Sequence, residues 1–170
     1  EFGPRSDPSN IGNFSQDGVP IQIQFASENE VVDMLLTELE NAQSTIRFMT
    51  FSFTRDDLGL ALLTRASAGV DIQGVFEVVG SQTRFSEMPR LYCAGLNVRQ
   101  DGNSGILHHK VFIIDESTVI TGSFNFSNNA VDSNDENVLI IRDTDIAALY
   151  MDEFLRVQSI ARVGDDDIQC

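Results

Sequence analysis

Two histidines and one lysine stand side by side at His108, His109 and Lys110; the chain has no other residue of either type, and its remaining bases are arginines. Imidazole gives, takes or attacks near neutral pH, and an ammonium is a compact cation suited to a phosphate oxygen. In an extended segment His108 and Lys110 share a face, with Cα atoms ~6.5 Å apart, so both reach one phosphate group while His109 faces the other way. Downstream, Gly122-Ser123-Phe124-Asn125 places a hydroxyl and a carboxamide at matching parity, both neutral partners for phosphate oxygens. Asp115 has the opposite parity to His108. It is therefore expected to be structural, pairing with an arginine or closing a turn with Ser117.

The full pattern, His108-x-Lys110-x4-Asp115-x6-Gly122-Ser123-x-Asn125 followed by Asn134-x-Glu136-Asn137, resembles the HKD motif of the phospholipase D superfamily. The stretch from Gly105 to Asn137 looks most like the bacterial single-motif nucleases and related phosphodiesterase domains, and the likeness extends weakly back to residues 19–54. The resemblance implies that His108 is the nucleophile and forms a phosphohistidine. It implies that Lys110 and Asn125 hold the non-bridging oxygens, with Ser123 assisting, and that Glu136 orients the imidazole through its other nitrogen. Asp115 and Gly122 are motif positions with structural parts. No metal or other cofactor is implied.

In-line displacement at phosphorus puts the nucleophile and the leaving group on opposite sides, and the departing alkoxide needs a proton. One imidazole cannot do both tasks, and His109 faces away. A second copy of the motif is required, and this chain carries one. A homodimer with both His108 side chains at the twofold axis supplies it; so does a second repeat, if the chain is a fragment of a two-motif protein. The rate is then expected to be bell-shaped in pH, because one imidazole must be neutral and the other protonated.

The elements that position these residues alternate between strand and helix. Ile21, Ile23 and Phe25 alternate with Gln22 and Gln24, a strand signal. Val32, Leu35, Leu36 and Leu39 repeat at helical spacing behind a capping box from Ser27 to Glu30. Strand patterns follow at 46–53, 70–78, 96–99, 106–114, 118–121 and 137–141, with helical patterns from Leu58 to near Gly69, within 85–94, and over 146–161. The expected fold is α/β, a mixed sheet flanked by helices on both faces, of the phospholipase D/nuclease type. Phe48, Phe51 and Phe53 are expected in the core, with Thr50 or Ser52 bordering the site. Residues 1–19, without periodicity, read as a flexible linker or cloning-derived segment, 20–163 as the catalytic domain, and 164–170 as an acidic tail. Cys93 reads as a small core residue and Cys170 as a stray thiol, with no disulfide framework.

Composition narrows the substrate. The formal net charge is −15, from 26 acids against 11 bases. That weighs against a broad nucleic-acid footprint, although a small cationic pocket survives because distant charges are screened within ~8–10 Å. No apolar run approaches the ~20 residues of a membrane helix, and no signal-peptide pattern opens the chain. The reading is a soluble protein of bacterial type whose compartment stays open. Nucleic acid, DNA or RNA, is the first substrate expectation. Phospholipid hydrolysis or headgroup exchange ranks below it, because no lipid-anchoring amphipathic helix is visible. A catalytically silent interaction domain is the third reading.

Overall fold

The computed structural model describes residues 11–26, 29–163, 168 and 170. Eight strands form one mixed sheet in the order β1-β2-β8-β7-β6-β3-β4-β5. In chain order they are β1 (Ile11–Gln16), β2 (Val19–Ala26), β3 (Thr45–Thr50), β4 (Asp71–Phe76), β5 (Asn97–Gln100), β6 (Lys110–Ile114), β7 (Thr118–Gly122) and β8 (Glu136–Arg142). The helices are α1 (Asn29–Asn41), α2 (Asp56–Ser67), α3 (Val78–Ser81), α4 (Met88–Cys93), α5 (Asn128–Asp132) and α6 (Thr144–Ile160). The segment β3–β4–β5 is parallel, joined by helical crossovers, and every other pairing is antiparallel.

Alternation along the central strands sorts their side chains onto two cores. Ile46, Phe48, Phe112, Ile114, Ile120, Val138 and Ile140 face α1, α2, α4 and α5. Met49, Val75, Val111, Ile113 and Val119 face Ala147, Phe154 and Val157 of α6. A cluster of phenylalanines fills the first core, with Phe48, Phe53, Phe76, Phe112 and Phe126 in edge, tilted or, for Phe53 and Phe76, stacked contact at 4.6–6.1 Å between ring centres. Gly74 exists to admit it: a Cβ there would lie 2.0 Å from the Phe48 ring.

Both ends of the chain differ from the linker and tail readings. Residues 11–16 form β1, which pairs with β2 through a two-residue turn at Asp17 and Gly18, both at positive φ (52° and 88°). Asp-Gly suits such a hairpin turn because its second residue carries no Cβ. The first ten residues, the Ser27 cap and residues 164–167 lie outside the described residues. At the other end, Arg162 pairs with Gln100 beside the edge strand β5, Ile168 packs on the first core, and Cys170 forms a disulfide with Cys93 (Cα–Cα 5.3 Å). Neither cysteine is free. The core-residue and stray-thiol readings are thereby corrected: the close of α4 puts Cys93 where the returning chain end passes.

Candidate active site

The antiparallel partnership of β6 with β3 sets Lys110 opposite Thr50. The 106–114 strand expected from sequence begins only at Lys110. The ladder still continues one residue outward, since the amide of Phe51 donates to the His109 carbonyl at 2.9 Å. Beyond that the backbone leaves the sheet, because the amide of Leu107 turns to the carboxylate of Glu77 at 2.6 Å.

His108 and Lys110 nevertheless converge. Lys110 Nζ lies 3.3 Å from His108 Nε2 and donates to the His108 carbonyl at 3.1 Å. An ammonium can only donate, so the contact leaves a lone pair on Nε2 and the ring proton on Nδ1. That is the tautomer a nucleophilic imidazole needs. His108 is exposed, whereas Lys110 is buried. Burial pushes the Lys110 ammonium below its usual pKa, and the nearby charge of Glu136 opposes that shift in part.

Phe51 belongs to this site rather than to the core. Its ring centre lies 4.8 Å from that of His108 and 5.2 Å from Lys110 Nζ. Phe48 and Phe53 are buried as expected, while Phe51 is half-buried. Parity gave no signal for this, since Phe53 shares the parity of Phe51 and is buried with Phe48; β3 ends at Thr50, and the residues after it no longer follow the alternation.

The second part of the motif is organised by Glu136. Its carboxylate accepts from the Ser123 hydroxyl and, at 3.0 Å, from Asn134 Nδ2. Ser123 Oγ in turn accepts from the Asn137 amide at 3.1 Å. These contacts require β7 and β8 to approach closely, and Gly122 permits it: at φ +149°, a Cβ on it would sit 2.1 Å from the Asn137 carbonyl oxygen. Glu136 makes no hydrogen bond to His108; its influence on the His108–Lys110 pair is electrostatic, through Lys110. Asn125 Oδ1 is buried without a partner among the described residues, and a half-turn of its amide would present an NH₂ there instead.

Asp115 lies at the far end of β6, roughly 16 Å from Lys110 along the strand. It pairs with no arginine and does not close the turn itself; the Ser117 amide does so by donating to the Ile114 carbonyl at 3.1 Å. Its carboxylate instead collects the amides of Gln43, Ser44 and Thr45 and the Ser44 hydroxyl at 2.7–3.0 Å. Burial raises its pKa, but these donors outweigh that and hold the carboxyl below the usual range. They also fix Asp115 and Glu116 at positive φ (50° and 52°), a conformation that costs a non-glycine residue about 1 kcal/mol or more. His109 turns to the opposite face, 3.5 Å from Glu153 on α6, and burial lowers its pKa. Asp132 and Asp135 are exposed. Among the described residues no group of three or more His, Cys, Asp or Glu side chains gathers as a metal site.

Beside Ser52 a cleft of about 660 Å³ opens between the loops after β3, after α3 and before α5, lined among others by Thr54, Arg55, Phe85, Ser127 and Asn128. Arg55 is held in place by Asp57 and Asn128, and Phe85 is 61% exposed.

Comparison with known proteins places the chain in a family. The chain is 35% identical over 140 residues to a mouse protein named mitochondrial cardiolipin hydrolase, covering 82% of this chain and 62% of that one. It is 32% identical over 121 residues to a phospholipase D of Rickettsia conorii, covering 71% and 60%. The chain thus spans less than two thirds of the length of these curated relatives. Among solved structures, Nuc from Salmonella typhimurium, a phospholipase D family member, superposes with a TM-score of 0.80 at 32% identity, over 84% of this chain and 95% of that one. Because residues 35–158 also match the family described as "Cardiolipin synthase, PLD-like domain", the chain belongs to the phospholipase D superfamily.

Proposed function

We propose that this domain is a phosphodiester hydrolase working without a metal, and that its substrate is nucleic acid. The observation that carries the reading is the contact between His108 Nε2 and Lys110 Nζ at 3.3 Å, with the imidazole exposed and the ammonium buried. The Nε2 lone pair attacks phosphorus while Lys110 and Asn125 hold the non-bridging oxygens. The P–O bond to the leaving group breaks, and the alkoxide takes a proton from a second imidazole. That imidazole, now neutral, removes a proton from water, which displaces His108 from phosphorus and regenerates both rings. The second imidazole comes from another copy of the chain or from another repeat, as the exposure of His108 allows.

The adjoining cleft favours a nucleotide over an acyl chain. Its walls carry hydroxyls, amides, Arg55 with the carboxylates of Asp56 and Asp57, and one exposed phenylalanine; the hydroxyls, amides and phenyl ring are groups that hydrogen-bond and stack on a base. The names of the relatives favour a second reading, hydrolysis of an anionic phospholipid. No helix among the described residues is long and apolar enough to cross a membrane.

Incubating the protein in EDTA with single-stranded DNA, RNA, duplex DNA and cardiolipin or phosphatidylcholine vesicles separates the readings. Cleavage of nucleic acid, lost by at least 10³-fold in His108→Ala, is the expected result. Lipid cleavage with intact nucleic acid replaces the substrate assignment. No turnover of any substrate leaves a silent domain.

A further inference from the structure

The catalytic pair needs His108 held at a fixed distance from Lys110, yet residues 101–109 carry no regular structure. Three hydrogen bonds fix the backbone around the imidazole. On its C-terminal side the Phe51 amide donates to the His109 carbonyl, and Lys110 Nζ donates to His108's own carbonyl. On its N-terminal side the anchor is a side chain, the carboxylate of Glu77, which receives the Leu107 amide at 2.6 Å.

Glu77 is built into the fold at a junction. It follows Phe76, the last residue of β4, and its own amide donates to the Thr50 carbonyl at 2.8 Å, tying it to the end of β3. Its other oxygen faces the Val79 amide at 3.5 Å, at the start of α3. That short helix packs on the segment that follows β3: a Cβ on Gly80 would lie 1.8 Å from the Phe51 carbonyl oxygen. Glu77 is 5% exposed and Leu107 4% exposed, so water does not readily replace either partner. Leu107 is also wedged into the second core beside Met49 and Val111. The side chain that fixes the amide preceding His108 therefore rests on β4 and on the end of β3, the strand that leads into Phe51 and pairs with the strand of Lys110.

We infer that Glu77 is a positioning residue for His108: its buried carboxylate, by holding the Leu107 amide, sets the imidazole's distance and angle to Lys110 and to the scissile phosphorus. The inference rests on the phosphodiesterase reading above. Reach, not charge, is what this role requires. Glu77→Gln keeps an acceptor oxygen for the Leu107 amide and turns its NH₂ toward the Val79 amide, whose 3.5 Å contact is the longer of the two; Glu77→Asp keeps the charge but withdraws it by about 1.5 Å, one C–C bond. A displacement of about 1 Å at a reacting atom costs about 10²-fold in rate.

The test is steady-state hydrolysis of bis(4-nitrophenyl) phosphate by wild type and both variants, together with hydrogen exchange at the Leu107 amide by NMR. Glu77→Asp is expected to lower kcat 10- to 100-fold with KM within about threefold, and to speed Leu107 exchange by at least tenfold. Glu77→Gln is expected to stay within about threefold of wild type in both readouts. A Glu77→Gln protein as slow as Glu77→Asp overturns the inference, since charge would then be what matters. So does a fully active Glu77→Asp, or loss of the fold in either variant. A wild type inert toward the diester strikes down the phosphodiesterase reading; Leu107 exchange then judges the anchor by itself.

Discussion

Lys110 is a cation in a place that disfavours cations, and this has a consequence at accessible pH. Burial lowers its pKa and Glu136 only partly restores it, so the ammonium loses its proton before a free lysine would. An anion held by Lys110 should then bind more weakly as pH rises through that lowered value. Inorganic phosphate is a suitable probe because its own charge is nearly constant from pH 8 upward. Its dissociation constant, read by calorimetry, is expected to rise in wild type as the pH climbs from 8 through that lowered value. In Lys110→Arg it should start weaker, because a planar fork replaces a point charge, and then stay flat, because guanidinium keeps its proton. The parity argument placed His108 and Lys110 together and sent His109 to the far face, since an alternating backbone leaves little choice. Parity could not say which donors Asp115 would meet. Those donors come from the α1–β3 loop, some seventy residues away in sequence, and no local pattern reports such a contact.

The central elements were legible because their alternation and helical spacing are strong: β3, β4 and β6 are bounded by turn residues, and α6 opens on Asp143, whose carboxylate accepts the Ile146 amide at 2.8 Å. The misreadings share a cause: a tertiary partner overrides a weak local signal. Residues 11–16 look like linker until β2 lends them an edge; β6 starts late because Glu77 draws Leu107 out of the ladder; Cys93 looks like core until the chain end returns to it. That last contact carries a stability prediction. The disulfide spans a sequence separation of 77, and restricting a loop of that length in the unfolded chain is worth up to about 4 kcal/mol. For a chain of this size that is about 10 °C in Tm. Thermal unfolding followed by circular dichroism should show a drop of this order on adding reductant. Cys93→Ser should reproduce the drop without reductant and be insensitive to it. A reductant effect that persists in Cys93→Ser would assign the loss to something other than this bond.

At the scale of the whole molecule, the proposed function sets a formal charge of −15 against two negatively charged partners, a second copy of the chain and a polyanionic substrate. Both encounters are repulsive at long range, and both end at a small site where a buried ammonium and neutral donors take over. The two regimes respond oppositely to salt. Long-range repulsion falls as the Debye length shrinks from about 30 Å at 0.01 M to about 10 Å at 0.1 M, whereas direct phosphate contacts weaken with salt through counterion release. Few bases are available to make such contacts here: Lys110, Arg84 over the Phe85 ring, and Arg55, already engaged by Asp57 and Asn128. Relief of repulsion should therefore dominate at first. On single-stranded DNA, kcat/KM is expected to rise severalfold from 0.01 to about 0.15 M NaCl before declining, the reverse of a basic nucleic-acid-binding protein. Sedimentation equilibrium over the same range should show self-association tightening with salt, and bis(4-nitrophenyl) phosphate, which carries one charge, separates the two contributions. If its turnover rises in parallel with that of DNA, assembly of the paired site is what salt promotes; if only DNA cleavage rises, the effect lies in the approach of the substrate. A monotonic fall for both substrates would mean that extended phosphate contacts, not a local pocket, dominate binding.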